Sequence, residues 1–592
     1  MHLQFLFLAL SVWLPSVTCF CRCSPDEACW PSHKEWARFN SSINGKLIET
    51  SPIAEPCYAG PESDEEACKS ATESWSSAEF QLSQPLGYAY PLNESCPLPS
   101  LNNNETSAGC SLGKSPVYAV NVTKENDIVK TIKFAKERNV RLVIKSTGHD
   151  AVQRSTGYGS VSIWLRNYRG GLEFHDFNPG LKYCRASEWK GSTLTITGAY
   201  AWSDIYPIAR EKGVIVIGGL NVGPCSTGGW TQGGGHGPTT RYFGMGADQV
   251  LSARVVLASG NVIMASPCEN KDIFYAIRGG GGGTYGVVTQ ITVKTYPTAS
   301  VNTIDFTMGS VGENSASKFL DAVTTVYSSL PSLSKAGFSG YGNWVLHSTR
   351  EIGGTNYTNL YAQSFTILGS SKEEATKLFR PFLEEMSRHN KSGSGIDIII
   401  AESAHRDYWS YYFSRPNNDA PVGGVSALAS RLLDTSALRG DNKRLRSSLD
   451  TIGGAPGAPV YHTIVHHGLE AASGVGPDLQ SAVQPGWYNS IILDIFELPM
   501  EGYDVEKNMD LFTNLRNNIV PVYRQLSPST GTYMNEADWG DANWREDFFG
   551  HHWNRLSQVK AKYDPEGIFY CHVCVGSDAW VEDERGALCR RE

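Results

Sequence analysis

No run of five or six like charges occurs anywhere in this sequence, and beyond the first fifteen residues no segment is long and apolar enough to span a bilayer. The first absence removes the electrostatic footprint of a nucleic-acid partner, and the balance of 51 basic against 60 acidic residues, a net −9, points the same way. The second excludes an integral membrane protein. The C-terminus, Glu582 to Glu592, is charged and leaves no hydrophobic lipid-anchor tail. Charged residues make up only 19% against 41% hydrophobic, with 59 glycines, so wholly disordered and collagen-like chains are excluded. No internal repeat is found. A length of 592 residues predicts two to four domains, enough for a large enzyme.

What is present at the N-terminus is a short apolar stretch, Leu3 to Leu14, followed by the small residues Ser16-Val17-Thr18. It is too short to span a membrane and reads as a signal peptide, residues 1–19. Of fourteen cysteines, eight (Cys19, Cys21, Cys23, Cys29, Cys57, Cys68, Cys96 and Cys110) fall in the first 110 residues, and Cys571, Cys574 and Cys589 close the chain. This predicts a disulfide-stapled extension over 20–112 in an oxidising compartment, with pairing left open. Sequons at Asn40, Asn93, Asn104, Asn121, Asn356 and Asn390 suit a secreted glycoprotein.

Regular pattern begins near Ser115. Val117 to Val120 predicts a strand; Thr123 caps a helix with Glu125 and Asp127 in its first turn and Ile128, Ile132 and Ala135 on one face; Val140 to Ile144 predicts the next strand. This β-α-β unit feeds the loop Lys145-Ser146-Thr147-Gly148-His149-Asp150. Val255-Val256-Leu257 and Val262-Ile263-Met264 flank Ser259-Gly260-Asn261 as a hairpin, and Val288 to Tyr296 is a strand ended by Pro297. Helices and strands alternate from 299 to 530, with a helix at Lys372 to Ser387 and strands at Asp397 to Ala401 and Tyr488 to Phe496. Asn543 to Lys562 reads as helix before Pro565.

Two glycine clusters stand out, Gly228 to Gly237 and Arg278 to Gly286. Glycine lets backbone amides approach an anion, so both predict a diphosphate cradle. Gly281-x-Gly283-x-x-Gly286 matches a dinucleotide fingerprint, but a helix precedes it and a strand follows, the reverse of the order that motif needs. Gly109-x-Ser111-x-Gly113 lies in the Cys-rich region, without the strand-turn-helix of a nucleophile elbow. Cys571-His572-Val573-Cys574 has no second pair at zinc-finger spacing and reads as a disulfide, so no metal site is expected.

These residues resemble the secreted FAD-linked oxidases with a PCMH-type flavin domain, the berberine bridge enzyme-like branch of the vanillyl-alcohol oxidase superfamily. Four blocks carry the resemblance in order: Val143 to Asp150; Gly233 to Gly237 through Tyr242-Phe243-Gly244 to Val250; Arg278 to Pro297; and Lys560 to Pro565. The Cys-rich ends are most similar to fungal members like isoamyl alcohol oxidase. The resemblance implies an α+β fold: a two-subdomain FAD-binding domain at 113–298, an antiparallel-sheet substrate (cap) domain at 299–530, and a return to the flavin domain at 531–592. It places Ser146, Thr147, Gly148, His149, Gly229, Gly233, Gly234, Gly235, His236, Asp248, Gly280, Gly281, Gly286 and Val287 around FAD, with His149 bonded to the flavin 8α-methyl.

The sequence departs from the family where some members form a second flavin bond through cysteine: Asn221 and Val222 stand there, and Cys225 follows. A single bond is therefore expected. Oxidation of an alcohol or amine needs a proton acceptor, and Tyr533 and Glu536, in a strand-like segment, and Asp494 are the candidates. The implied activity is hydride transfer from a small alcohol, sugar or secondary metabolite to FAD and then to oxygen, giving hydrogen peroxide. The rivals are an FAD-dependent dehydrogenase or oxidative cyclase, and a secreted ligand-binding glycoprotein without turnover.

Overall fold

The computed structural model describes residues 21–92, 94–101, 109–178, 189–312, 315–415, 421–472 and 481–591. The signal-peptide reading and the sequons at Asn93 and Asn104 lie outside them.

The first sheet contains β1 (Leu47–Glu49), β2 (Tyr118–Asn121), β3 (Arg141–Lys145) and β4 (Ser160–Trp164), in the order β1-β2-β4-β3. β4 runs parallel to both β2 and β3 and lies between them, while β1 is antiparallel. The helix α1 (Glu125–Glu137) joins β2 to β3 and buries Ile128, Ile132 and Ala135 as their spacing predicts. Its start is set by Asp127 rather than by Thr123. The Asp127 carboxylate accepts the backbone N–H groups of Thr123 and Lys124, each at 3.2 Å, and the Lys46 ammonium at 2.6 Å. An acid in the first turn satisfies amides that have no helical partner. Trp36 and Phe39 of the N-terminal extension pack into the same core.

The second sheet contains β5 (Arg169–His175), β6 (Thr193–Gly198), β7 (Val214–Val216), β8 (Val250–Val256), β9 (Val262–Ala265) and β10 (Val287–Pro297), in the order β5-β6-β10-β8-β9, with β7 beside β10. β8 and β9 form the hairpin expected around Gly260. A helix, Lys271–Ala276, precedes the second glycine cluster and β10 follows it, the order that ruled out the dinucleotide fingerprint.

The third sheet has seven antiparallel strands, β11 (Val301–Ser310), β12 (Ser339–Val345), β13 (Asn359–Leu368), β14 (Ile396–His405), β15 (Ser426–Leu433), β16 (Tyr461–His466) and β17 (Ile492–Pro499), in the order β14-β11-β13-β12-β16-β17-β15. One face packs on the helices α2 (Ala316–Lys335), α3 (Lys372–Met386) and α4 (Asn442–Ile452) around Phe306, Tyr327, Trp344 and Phe496. β17 starts four residues later than the sequence suggests. Pro485 opens a 3₁₀ turn over Pro485–Asn489 that uses up the first part of the expected strand.

The C-terminal helix divides into α5 (Trp544–Phe549) and α6 (Trp553–Tyr563) at Gly550, whose φ of +52° breaks the helical path. Residues 533–536, expected as a strand-like segment, form an irregular turn in which the Glu536 N–H donates to the Tyr533 carbonyl at 3.0 Å. Disulfides join Cys21 to Cys589, Cys23 to Cys29, Cys57 to Cys68, Cys96 to Cys110 and Cys571 to Cys574, so the last pair is not a zinc site. Cys225 is free and buried. Among the described residues no helix is long and apolar enough to cross a membrane.

Candidate active site

A cavity of about 500 Å³ opens between the loop after β3, both glycine clusters, one face of the third sheet and the turn at 533–536. The loop leaves the carboxyl end of β3, where strands of an open α/β layer present ligands. Asp150 folds it: one carboxylate oxygen accepts the Val152 N–H at 3.1 Å, the other the Ser155 N–H at 2.8 Å and hydroxyl at 2.7 Å. Gly148 has φ +75°, and a Cβ there would sit 2.4 Å from the Gly87 carbonyl oxygen. Ser146, Thr147, Gly148 and His149 all line the cavity. Removal from water disfavours the charged imidazole and lowers the His149 pKa to about 4, so the ring is neutral at physiological pH.

The glycine clusters divide into two kinds of position. Gly228, Gly229, Gly282, Gly283, Gly286 and Val287 line the cavity, whereas Gly233, Gly234, Gly235, Gly280, Gly281 and Asp248 do not. The reason is that the latter lock the clusters together. The Gln232 carbonyl accepts N–H groups of both Gly279 and Gly281 at 2.9 Å; Gly233, Gly234 and Gly280 donate to Gly229, Thr231 and Ala276. The Gly235 carbonyl accepts from Gly246, and a Cβ on Gly235 would meet the Trp230 ring at 2.6 Å. Asp248 accepts the Met245 N–H at 2.9 Å and the Tyr488 hydroxyl at 2.5 Å, holding the turn beyond the triple glycine. In this structure these residues stand behind those that face the cavity and hold them in place.

The opposite wall follows strand alternation. Tyr341 and Asn343 of β12, Thr463 and Val465 of β16, and Ile495 and Glu497 of β17 face the cavity. Asp494 therefore points the other way. It is fully buried among the helices, accepting from the hydroxyls of Tyr327 (2.7 Å) and Tyr523 and pairing with His462 Nδ1 at 3.0 Å, and it is excluded as the base.

Tyr533 and Glu536 reach the cavity together. The Glu536 carboxylate contacts His236 Nε2 at 3.1 Å, and His236 Nδ1 lies 3.1 Å from the Tyr341 hydroxyl, a chain from a partly open acid into a buried aromatic wall. Burial, then the neighbouring Glu536, raises the Tyr533 pKa above its usual value, and its hydroxyl accepts from Asn535 at 2.8 Å. Glu497 is also raised, by desolvation first and Glu536 in addition. The sequence reading missed Tyr90, Arg154, Tyr341 and Glu497. The alternation of β12 and β17 was the available signal for the last two; Tyr90 and Arg154 carried none. Arg154 donates to Asn535 Oδ1 and the Met534 carbonyl, each at 2.9 Å, tying the loop to this turn.

The donor set fits FAD. Where the clusters meet, a Cβ on Gly282 would lie 3.0 Å from Gly229 Cα, so the wall is bare backbone; beside it lie a neutral imidazole and the Arg154 Nε, buried without a partner among the described residues. Comparison with known proteins agrees. A family model described as "FAD binding domain" matches residues 116–266, and one described as "Berberine and berberine like" matches 532–575. FAD-linked oxidoreductase apf9 of Gibberella fujikuroi is 61% identical over 571 residues, 96% of each chain. The chain belongs to the FAD-linked oxidoreductases of the vanillyl-alcohol oxidase and berberine bridge enzyme-like superfamily.

FAD-linked oxidoreductase hmp9 of Hypomyces subiculosus is 38% identical to this oxidoreductase, over 96% of its chain and 90% of the relative. The crystal structure of the VAO-type flavoprotein MtVAO713 from Myceliophthora thermophila C1 superposes with a TM-score of 0.92 at 35% identity, covering 97% of this chain and 100% of that one. The fold is the PCMH-type α+β fold, with FAD as cofactor.

Proposed function

We propose that this oxidoreductase is a secreted oxidase acting on a small alcohol, sugar or secondary metabolite, with oxygen as final acceptor and hydrogen peroxide as product. The observation that carries the reading is that Glu536, backed by His236 and Tyr341, faces the same cavity as His149. FAD bound there supplies the hydride acceptor. Ser146 to His149, Gly228, Gly229, Gly282, Gly283, Gly286 and Val287 would hold it. His149 would carry a single covalent link, since a neutral imidazole keeps a nitrogen lone pair. Asn221, at the place of a second link, instead accepts the Gly223 N–H at 2.8 Å, and the Cys225 thiol lies 3.5 Å from the Thr227 hydroxyl.

Glu536 is the proton acceptor in this reading, and its contact with His236 gives the accepted charge somewhere to spread. Tyr533 keeps its own proton, because its raised pKa opposes a phenolate. It serves as a donor that orients the substrate oxygen, not as the base. The disulfides, with the sequons, support secretion.

Two experiments test this. Alcohols, sugars and amines are screened for flavin bleaching under argon and for peroxide release in air; bleaching without peroxide would make the protein a dehydrogenase, and a colourless preparation would favour the ligand-binding rival. In acid precipitation, wild type and Cys225→Ala should keep yellow flavin in the pellet while His149→Ala releases it. Complete release from wild type would remove the covalent link from the reading.

A further inference from the structure

The N-terminal extension lies outside the residues matched by the FAD-binding family model, which begin at 116, yet it reaches the flavin loop. Four contacts lay residues 84–92 along it. The Lys145 ammonium donates to the Gln84 carbonyl at 3.0 Å, the Ala89 N–H to the Gly148 carbonyl at 2.9 Å, the Tyr88 hydroxyl to the Ser155 carbonyl at 3.2 Å, and Gln153 Nε2 to the Leu92 carbonyl at 2.6 Å. On the other side the Gly423 N–H donates to the Ala89 carbonyl at 2.8 Å. A strap fixed at this many points presents its side chains in one place. Tyr90, in its centre, projects into the cavity and meets the His149 ring edge to face, with ring centroids 5.3 Å apart and planes at 83°.

The His149 ring has no hydrogen bond among the described residues to set its rotation. On another side lies the backbone at Gly223, where a Cβ would lie 3.4 Å from Nδ1. A histidine χ2 has a broad, weakly defined preference, so an unbonded ring takes its orientation from what packs against it. We infer that Tyr90 is the positioning residue that holds His149 in the rotation needed to form its covalent flavin link. The Cys-rich extension thereby takes part in loading the cofactor.

This inference rests on the covalent reading of His149. In the link an imidazole N–C bond forms, the ring N–H proton and one methyl C–H are lost, the electron pair goes onto the bound flavin, and molecular oxygen removes it as hydrogen peroxide. An aromatic pair of this geometry biases the productive rotation about 2- to 10-fold, so its loss slows linkage by that factor.

The test purifies the full-length holoprotein promptly after synthesis and measures the acid-releasable share of its FAD then and at intervals under air, alongside the thermal midpoint. Wild type and Tyr90→Phe, which keeps the ring, should start from a small releasable share that falls to none under air. Tyr90→Ala should release a substantial share that declines about 2- to 10-fold more slowly than wild type loses it, at an unchanged midpoint. Tyr90→Leu, which fills much of the same space, replaces it if Ala does not fold and should behave alike. Full retention in both the Ala and Leu variants overturns the role of Tyr90 while leaving the link intact. Full release from wild type overturns the link itself and this inference with it.

Discussion

Glu536 and Asp494 are both carboxylates beside a histidine, and their surroundings give them opposite parts. Glu536→Gln keeps a hydrogen-bonding partner for His236 but cannot accept a proton; stopped-flow reduction under argon should slow by about 10²- to 10⁴-fold with the bound flavin spectrum intact. Asp494→Ala should do the reverse. Removing it leaves the Tyr327 and Tyr523 hydroxyls and His462 without their shared acceptor in the core, at a cost of about 2–5 kcal/mol in denaturant unfolding. Turnover per folded molecule should not change. A reduction rate for Glu536→Gln within threefold of wild type would remove it as the base.

Among the elements, the glycine clusters show how one motif serves two purposes. Gly235 combines a φ of +71° with a neighbour, the Trp230 ring, that is 2.6 Å from where a Cβ would go. Gly235→Ala should therefore destabilise the protein by about 1–3 kcal/mol and loosen FAD without touching it. Urea unfolding and the flavin content of the purified variant check both effects; a stable variant with full flavin would mean that Trp230 yields. The β-α-β unit and the β8–β9 hairpin were legible from local pattern because short-range periodicity and turn residues set them. The turn at 533–536 was not, because its conformation is fixed by contacts with Arg154 and the distant glycine cluster.

On the scale of the whole molecule, the ends of the chain are joined and the third sheet is tied to the C-terminal segment by charge. Cys21 and Cys589 are 568 residues apart in sequence. Replacing both by serine should lower stability by about 2–5 kcal/mol with the cavity's activity retained, since the bridge limits the unfolded chain. Arg431 of β15 pairs with Asp547 at 2.7 Å, Arg524 contacts the same carboxylate, and Asp541 joins the group. Burial, then Asp547, raises the Asp541 pKa from its ordinary 3.8 to about 6. The folded state thus holds this proton more tightly than the unfolded chain. The stability it contributes is complete below pH 3.8 and is lost as pH rises through about 6. Asp541→Asn should raise the thermal midpoint at pH 7.5, by on the order of 1–3 kcal/mol in stability, and leave it nearly unchanged near pH 4. A midpoint shift of equal size at both pH values would place the effect elsewhere.

Local sequence by itself determined the family, the cofactor class and the outline of most elements, and it singled out the loop with His149 that lines the cavity, because each rests on residue types at short fixed spacing. Only the tertiary structure decided which members of those motifs face the cavity. Asp494 and Glu497 are three residues apart on one strand, and the two-residue period of β17 alone sends the first into the core and the second toward the site. The approach of Tyr90 to His149, and of Glu536 to His236 across 300 residues, has no local trace. Such pairs come from how the sheets, the strap and the C-terminal turn close on one another, and a linear pattern carries no record of that.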